Sequence, residues 1–339
     1  MSRLATFHPP IALAALDRAL AAGGVSDLDA DVPAEVWRRA LAGPAAEFLS
    51  RPGKQLRSAV VRAGWELGGG APEVMPERLA LIIELVHAGS LIIDDVEDGG
   101  DARRGRPALH HLVGVPIAIN TGSWMYFWAL GEISRLGLSD ARELVLHRAA
   151  AATLVRCHQG QALDLATRID ELAPGEVPRV VAATTRLKTG ALCRLAAELG
   201  ALAAGGAAAT TTAAARFGEA MGTGLQMLDD LGALTCAARR AKAREDLGTG
   251  RPTWPWAWVA EHHPFAWSRL SGLARQVRDG AGGADALADA LAETIAGVGR
   301  AAIRDTLDAG LAALTRTVGD TRVTQQLAAE LRRMEVSYG

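Results

Sequence analysis

The sequence predicts an all-α fold, and three observations carry that prediction. Aromatic residues make up only 4% of the chain while alanine is abundant, a composition that favours closely packed helices over sheets. Apolar residues recur at helical spacing, with no strand-type alternation of useful length. Breaks fall where Gly, Pro and Asp gather, at 22–33, 68–77, 99–107, 136–140, 171–178, 200–211, 245–255 and 278–284. About ten to twelve helices fit between them. The segment ELAPGEVP at 171–178 stops one helix and starts another. The stretch 200–211 reads as a tight helix–helix turn and not a linker, because apolar patterning resumes at once. With 339 residues, 49% of them hydrophobic, a single α-helical domain over 1–339, wrapped around an interior cavity, is the expectation.

Charge and cysteine content exclude several classes. A net charge of −2 gives no electrostatic footprint for nucleic acid or an anionic membrane surface. Cys157, Cys193 and Cys236 are odd in number and far apart, so neither a disulfide framework nor a zinc site is expected. Buried filler in a reducing cytosol fits them. Asp17 and Arg18 interrupt the apolar run after Pro9 and Pro10, which argues against a signal peptide. No window offers the roughly 18 uninterrupted apolar residues of a membrane span.

The stretch that organises the chain is ELVHAGSLIIDDVEDGGDARR, Glu84 to Arg104. On a helical period His87, Asp94 and Asp98 share a face, and Asp94 and Asp98 are i,i+4 neighbours. Such a carboxylate pair repels itself unless a cation is supplied, and Mg²⁺ takes one or two carboxylates together with substrate phosphate oxygens. Arg103 and Arg104 follow, with planar forks suited to phosphate. An acidic helix end is also a common solvated surface. Here the approach, LALIIELVHAGSLII, is too apolar for a surface helix, which points to a buried helix ending at a cavity mouth.

Further along, Pro52-Gly53-Lys54-Gln55-Leu56-Arg57 precedes a helical stretch, with Lys54 and Arg57 three apart. It reads as an anion cradle at a helix start or as a solvated basic turn. GQALDLA places Gln161 and Asp164 on one helix, and TRLKTGAL sets Lys188 and Thr189 among apolar residues. GTGLQMLDDLGAL repeats the acidic helix end with Gln226, Asp229 and Asp230. Two such ends brought together would hold Mg²⁺ around one diphosphate. Lys242, Asp246 and Arg251 then form a basic, glycine-containing flap.

Through these five ordered segments, over roughly residues 45–260, the chain resembles the trans-isoprenyl diphosphate synthases, the polyprenyl synthetase family. The resemblance implies an all-α isoprenoid synthase-type bundle and a homodimer. It also implies a Mg²⁺-dependent condensation of isopentenyl diphosphate with an allylic diphosphate, with about three metal ions per site. Asp94 and Asp98 then hold metal with Asp95 in support, and Asp229 and Asp230 belong to the second metal motif. Lys54, Arg57, His87 and Arg104 match the isopentenyl diphosphate site, and Arg103, Lys188, Lys242 and Arg251 the allylic diphosphate site. Thr189 and Gln226, with Lys188, match positions around the carbocation.

Departures from the family pattern are specific. The second motif ends in Ala233 where an acid is usual, Pro52 and Gln55 replace a glycine and an arginine, and Gly122-Ser123 stands for Gly-Asp. Gly89 and Ser90, five and four residues before Asp94, are small. They imply an open cavity floor and a longer product, with geranylgeranyl diphosphate as the expected one. Trp124, Tyr126, Phe127 and Trp128 are read either as a stop further down or as ordinary core. The sequence also leaves open a class I terpene cyclase on the same fold, or a non-catalytic partner subunit.

Overall fold

The computed structural model describes residues 31–53 and 56–338. The readings made at Pro9, Pro10, Asp17, Arg18, Lys54 and Gln55 lie outside the described residues. Helices carry the described chain: α1 (34–49), α2 (Leu56–Leu67), α3 (Glu77–Glu97), α4 (Leu109–Val113), α5 (Val115–Ile133), α6 (Asp140–Ala166) and α7 (177–204). They continue as α8 (Ala208–Thr235), α9 (Arg240–Gly248), α10 (Trp254–His262), α11 (Pro264–Arg278), α12 (Ala284–Thr294), α13 (Val298–Val318) and α14 (Arg322–Tyr338). One short hairpin, β1 (Ala102–Arg103) antiparallel to β2 (Arg106–Pro107), breaks the helical pattern. The 200–211 stretch is a tight turn: α7 ends at Ala204 and α8 starts at Ala208. Late breaks missing from the sequence reading sit at Gly297 (φ 86°) and Gly319 (φ 82°), whose left-handed backbone ends one helix and admits the next.

By contact the chain divides into two compact units. The first runs to Ala151 and takes in Leu195–Thr211; the second comprises Ala152–Arg194 and everything from Thr212. In the first, helices approach closely because glycine removes the side chain at the crossing. A Cβ on Gly64 would stand 2.1 Å from the Ala197 carbonyl oxygen, and one on Gly200 would stand 2.0 Å from that of Val61. Helices α3 and α5 meet in the same way at Gly89 and Gly122, where a Cβ on Gly89 would lie 2.6 Å from the Gly122 carbonyl oxygen. This corrects the expectation of an open floor at Gly89. The smallness there is taken up by the backbone of α5, because a helix–helix crossing needs it.

In the second unit α8 crosses α7 on Gly218 and Gly222. Added Cβ atoms there would fall 2.3 Å from the Cys193 carbonyl oxygen and 2.7 Å from that of Thr189. Trp256 and Trp258 are fully buried, and Trp256 meets Trp267 edge-on at 6.0 Å. None of the three cysteines forms a disulfide; Cys193 is buried and the others are half-buried. Among the described residues no helix is long and apolar enough to cross a membrane.

Candidate active site

The acidic end of α3 lies in the first unit. Asp94 and Asp95 occupy its last turn and Asp98 is its C-cap, where the partial negative charge of the helix terminus adds to theirs. That arrangement demands a cation. Arg103 supplies one: its Nε donates to Asp95 Oδ1 at 2.8 Å, its Nη2 contacts the same oxygen, and Nη2 reaches Asp94 Oδ2 at 3.4 Å. Asp95 is 2% exposed. Burial pushes its carboxyl up against the pull of Arg103, and its Oδ2 is buried with no protein donor. Asp94 and Asp98 are partly open to solvent.

Arg103 and Arg104 reach this point on the hairpin. Arg104 (φ 54°) and Gly105 (φ 77°) form its turn, the mirror-image type that suits a two-residue connection. Arg51, which the sequence reading passed over, holds the hairpin. Its side chain is buried, and it donates to the carbonyls of Arg103 (3.1 Å) and Pro107 (2.9 Å) while pairing with Glu47 at 2.8 Å. A lone arginine outside any motif gave no signal; only the folded hairpin shows what it is for. Arg104 passes over the Phe48 ring at 5.8 Å and beside Gly53, where a Cβ would stand 3.3 Å from its Nη1. A cationic group forms around it. Arg57 Nη1 lies 3.1 Å from His87 Nε2. Burial first, then Arg57, Arg104 and Arg103, hold His87 well below its usual pKa. The ring is therefore neutral and Nε2 accepts from Arg57. Arg57 Nε is buried without a partner. Ser58 donates to Glu84 at 2.8 Å, and Glu84 is the acid that faces Arg104.

The second acidic end, on α8, belongs to the second unit. Asp229 is about one-third exposed and pairs with Arg239 at 2.5 Å. Asp230 faces inward, 8% exposed. Its Oδ1 accepts from Gln226 Nε2 at 2.8 Å and its Oδ2 from the Trp254 backbone N–H at 3.0 Å, at the start of α10. Burial pushes the Asp230 carboxyl up to about 7, with Asp246 adding to the rise. Adjacent in sequence, the two aspartates thus have opposite environments.

Lys188 and Thr189 sit in a π-turn, Arg186–Gly190, inside α7, a local widening often found at functional positions. Lys188 pairs with Asp164 at 2.6 Å, and Thr189 donates to Gln226 Oε1 at 2.8 Å. The Gly222 crossing accounts for that last contact, since Gln226 lies one turn beyond Gly222 on the same face of α8. In the flap, Lys242 bonds Asp246 at 3.0 Å. Burial alone would lower its pKa, but Asp246, Glu245 and Asp230 outweigh that and raise it. Arg251 follows α9, its backbone N–H bonded to the Asp246 carbonyl, and its charge helps hold Asp246 ionised against burial.

Of the aromatic residues on α5, Trp128 is buried and donates to Glu132, Tyr126 lies beside Gly89, and Phe127 points outward at 71% exposure. Among the described residues no three His, Cys, Asp or Glu side chains converge as a metal cage. The donors on offer are carboxylate oxygens in small number, which fits Mg²⁺ shared with phosphate better than a closed zinc site.

A family model described as Polyprenyl synthetase matches residues 38–277. A geranylgeranyl pyrophosphate synthase 2 from Zymoseptoria tritici is 31% identical over 242 residues, covering 71% of this chain and 68% of that protein. A geranylgeranyl pyrophosphate synthase from Mucor circinelloides f. lusitanicus is 33% identical over 46% of this chain, and the match spans 49% of that protein. The crystal structure of a decaprenyl diphosphate synthase from Rhodobacter capsulatus matches with a TM-score of 0.74, covering 98% of this chain and 100% of that one. At 20% identity that likeness concerns the fold alone.

Proposed function

The chain belongs to the polyprenyl synthetase family, and from that premise we propose that it joins isopentenyl diphosphate to an allylic diphosphate, giving a longer trans-prenyl diphosphate. Geranylgeranyl diphosphate is the product proposed, on the names of the relatives. In this reading the allylic C–O bond breaks, diphosphate leaves, the isopentenyl double bond attacks the carbocation and a proton is lost.

The observation that carries the proposal is the cationic group of Arg57, neutral His87 and Arg104. A cyclase, which ionises one diphosphate only, has no use for a second anion site; an elongating enzyme requires one. Arg57 and Arg104, with Lys54, bind the diphosphate that stays on the nucleophile. His87 accepts from Arg57 and fixes its plane. Asp94 and Asp98 on α3, and Asp229 on α8, would hold Mg²⁺, with Asp95 in support through Arg103. Bound Mg²⁺, about three ions, would supply neutralising charge to the leaving diphosphate. Arg103, Lys188, Lys242 and Arg251 add fixed positive charge to it, which counts for more where water is scarce. Thr189 and Gln226 present weak dipoles to the cation. A cytosolic homodimer completes the reading and follows from the family resemblance.

Purified protein incubated with isopentenyl diphosphate, a series of allylic diphosphates and Mg²⁺ tests this. Longer prenyl diphosphates are expected. Hydrocarbons would make it a cyclase, and no turnover without a partner chain would make it a subunit.

A further inference from the structure

Thr189, Gln226 and Asp230 form one directed chain of hydrogen bonds, and we propose that Asp230 is a positioning residue whose two acceptor oxygens fix which way Gln226 and Thr189 point. The inference rests on the proposed reaction, in which Thr189 and Gln226 border the carbocation.

The direction follows from donors and acceptors. Both Asp230 oxygens face N–H donors, so the carboxyl group accepts on each side. Asp230 Oδ2 is taken by the Trp254 N–H, a backbone donor that cannot turn round, so Oδ1 is left for Gln226. Gln226 must therefore offer its NH₂ to Asp230 and its carbonyl oxygen to Thr189. Thr189 can satisfy that oxygen only by donating, so its hydrogen is spent on Gln226. The remaining lone pairs of the hydroxyl, the negative end of its dipole, stay on the side away from Gln226. An amide alone has no such preference, since its oxygen and nitrogen ends can exchange. The crossing at Gly222, which brings Thr189 and Gln226 into reach, holds the distances but not the direction. Asp230 does that from inside, at 8% exposure, with both oxygens occupied.

The substitution Asp230→Asn reverses the chain. The oxygen of the new amide stays on the Trp254 N–H, its NH₂ faces Gln226, the Gln226 amide turns over, and Thr189 becomes an acceptor with its hydrogen facing outward. A positive dipole end then meets the carbocation. Restoring the original direction needs an acceptor-only group one turn back on α8, which Gln226→Glu provides. The amide introduced by Asp230→Asn would donate to that new carboxylate, and Thr189 would donate to it again.

The test compares wild type, Asp230→Asn and the double variant Asp230→Asn/Gln226→Glu, with isopentenyl and allylic diphosphates and Mg²⁺. Asp230→Asn is expected to lower kcat about 10- to 100-fold, leaving KM values and the Mg²⁺ half-saturation within about twofold; the double variant regains about tenfold. A raised Mg²⁺ half-saturation in Asp230→Asn, or a double variant no faster than the single, overturns the proposal. A wild type that makes no prenyl diphosphate overturns the proposed reaction alone. The turn of the amide is read separately in the Gln226 side-chain NH₂ signals, whose NOEs should pass from residue 230 in wild type to Thr189 in Asp230→Asn. NOEs that stay with residue 230 in Asp230→Asn overturn the directed chain.

Discussion

The Cβ that Gly89 lacks would lie 2.6 Å from the carbonyl oxygen of Gly122, so α3 and α5 touch backbone to backbone five residues before Asp94. Any side chain at 89 has to push two long helices apart. Gly89→Ala is expected to destabilise the protein by roughly 1–3 kcal/mol, and Gly89→Phe by more. Denaturant unfolding checks this. A Gly89→Phe protein of wild-type stability that makes a shorter product would return Gly89 to the cavity wall.

Asp229 is partly exposed and paired with Arg239, an arginine ten residues downstream. Removing the carboxylate, in Asp229→Ala or in Asp94→Ala, should abolish Mg²⁺-dependent turnover while the unfolding midpoint stays near wild type. Removing its competitor acts in the opposite sense. Arg239→Ala should lower the Mg²⁺ half-saturation by about two- to fivefold, the modest effect of a partly solvated pair. An unchanged half-saturation would separate Asp229 from the metal.

Asp230 gives stability a pH dependence of definite sign. Its folded pKa is about 7 against an ordinary 3.8, so between those values the folded protein holds a proton that the unfolded chain has released. Stability is then fully present below about pH 4, falls as pH rises toward 7, and levels off above. The drop is at most about 4 kcal/mol. Buried Asp246, also shifted upward, adds in the same direction. Unfolding free energy measured without Mg²⁺ should gain less, or lose more, on going from pH 8 to pH 5 in Asp230→Asn than in wild type.

His87 runs the other way. Its folded pKa is well below 6.5, so the unfolded chain takes up a proton that the native ring refuses, and stability is lost as pH falls below about 6.5. His87→Gln keeps an acceptor for Arg57 and should remove that acid-side slope. If His87→Gln retains the slope, another group carries it. His87→Ala should raise KM for isopentenyl diphosphate by about tenfold, since Arg57 loses a charge-assisted bond.

The helices, their acidic ends and the bases that follow them were legible from the order of residues alone. These are read from the 3.6-residue period and from residue type, both local properties of the chain. His87, Asp94, Asp98, Lys188, Gln226 and Asp229 stood out as candidates on those terms, and the family resemblance proposed their roles. Tertiary structure decided which of two adjacent aspartates faces water, because burial depends on the helix packed opposite: Asp229 stays partly open and Asp230 caps α10. It also decided that Gly89 is a crossing and not a floor, that Arg51 holds the hairpin of Arg103 and Arg104, and that a π-turn carries Lys188 and Thr189. Each of these is set by where one backbone lies against another, and hydrophobic period fixes a helix's buried face without fixing what meets it.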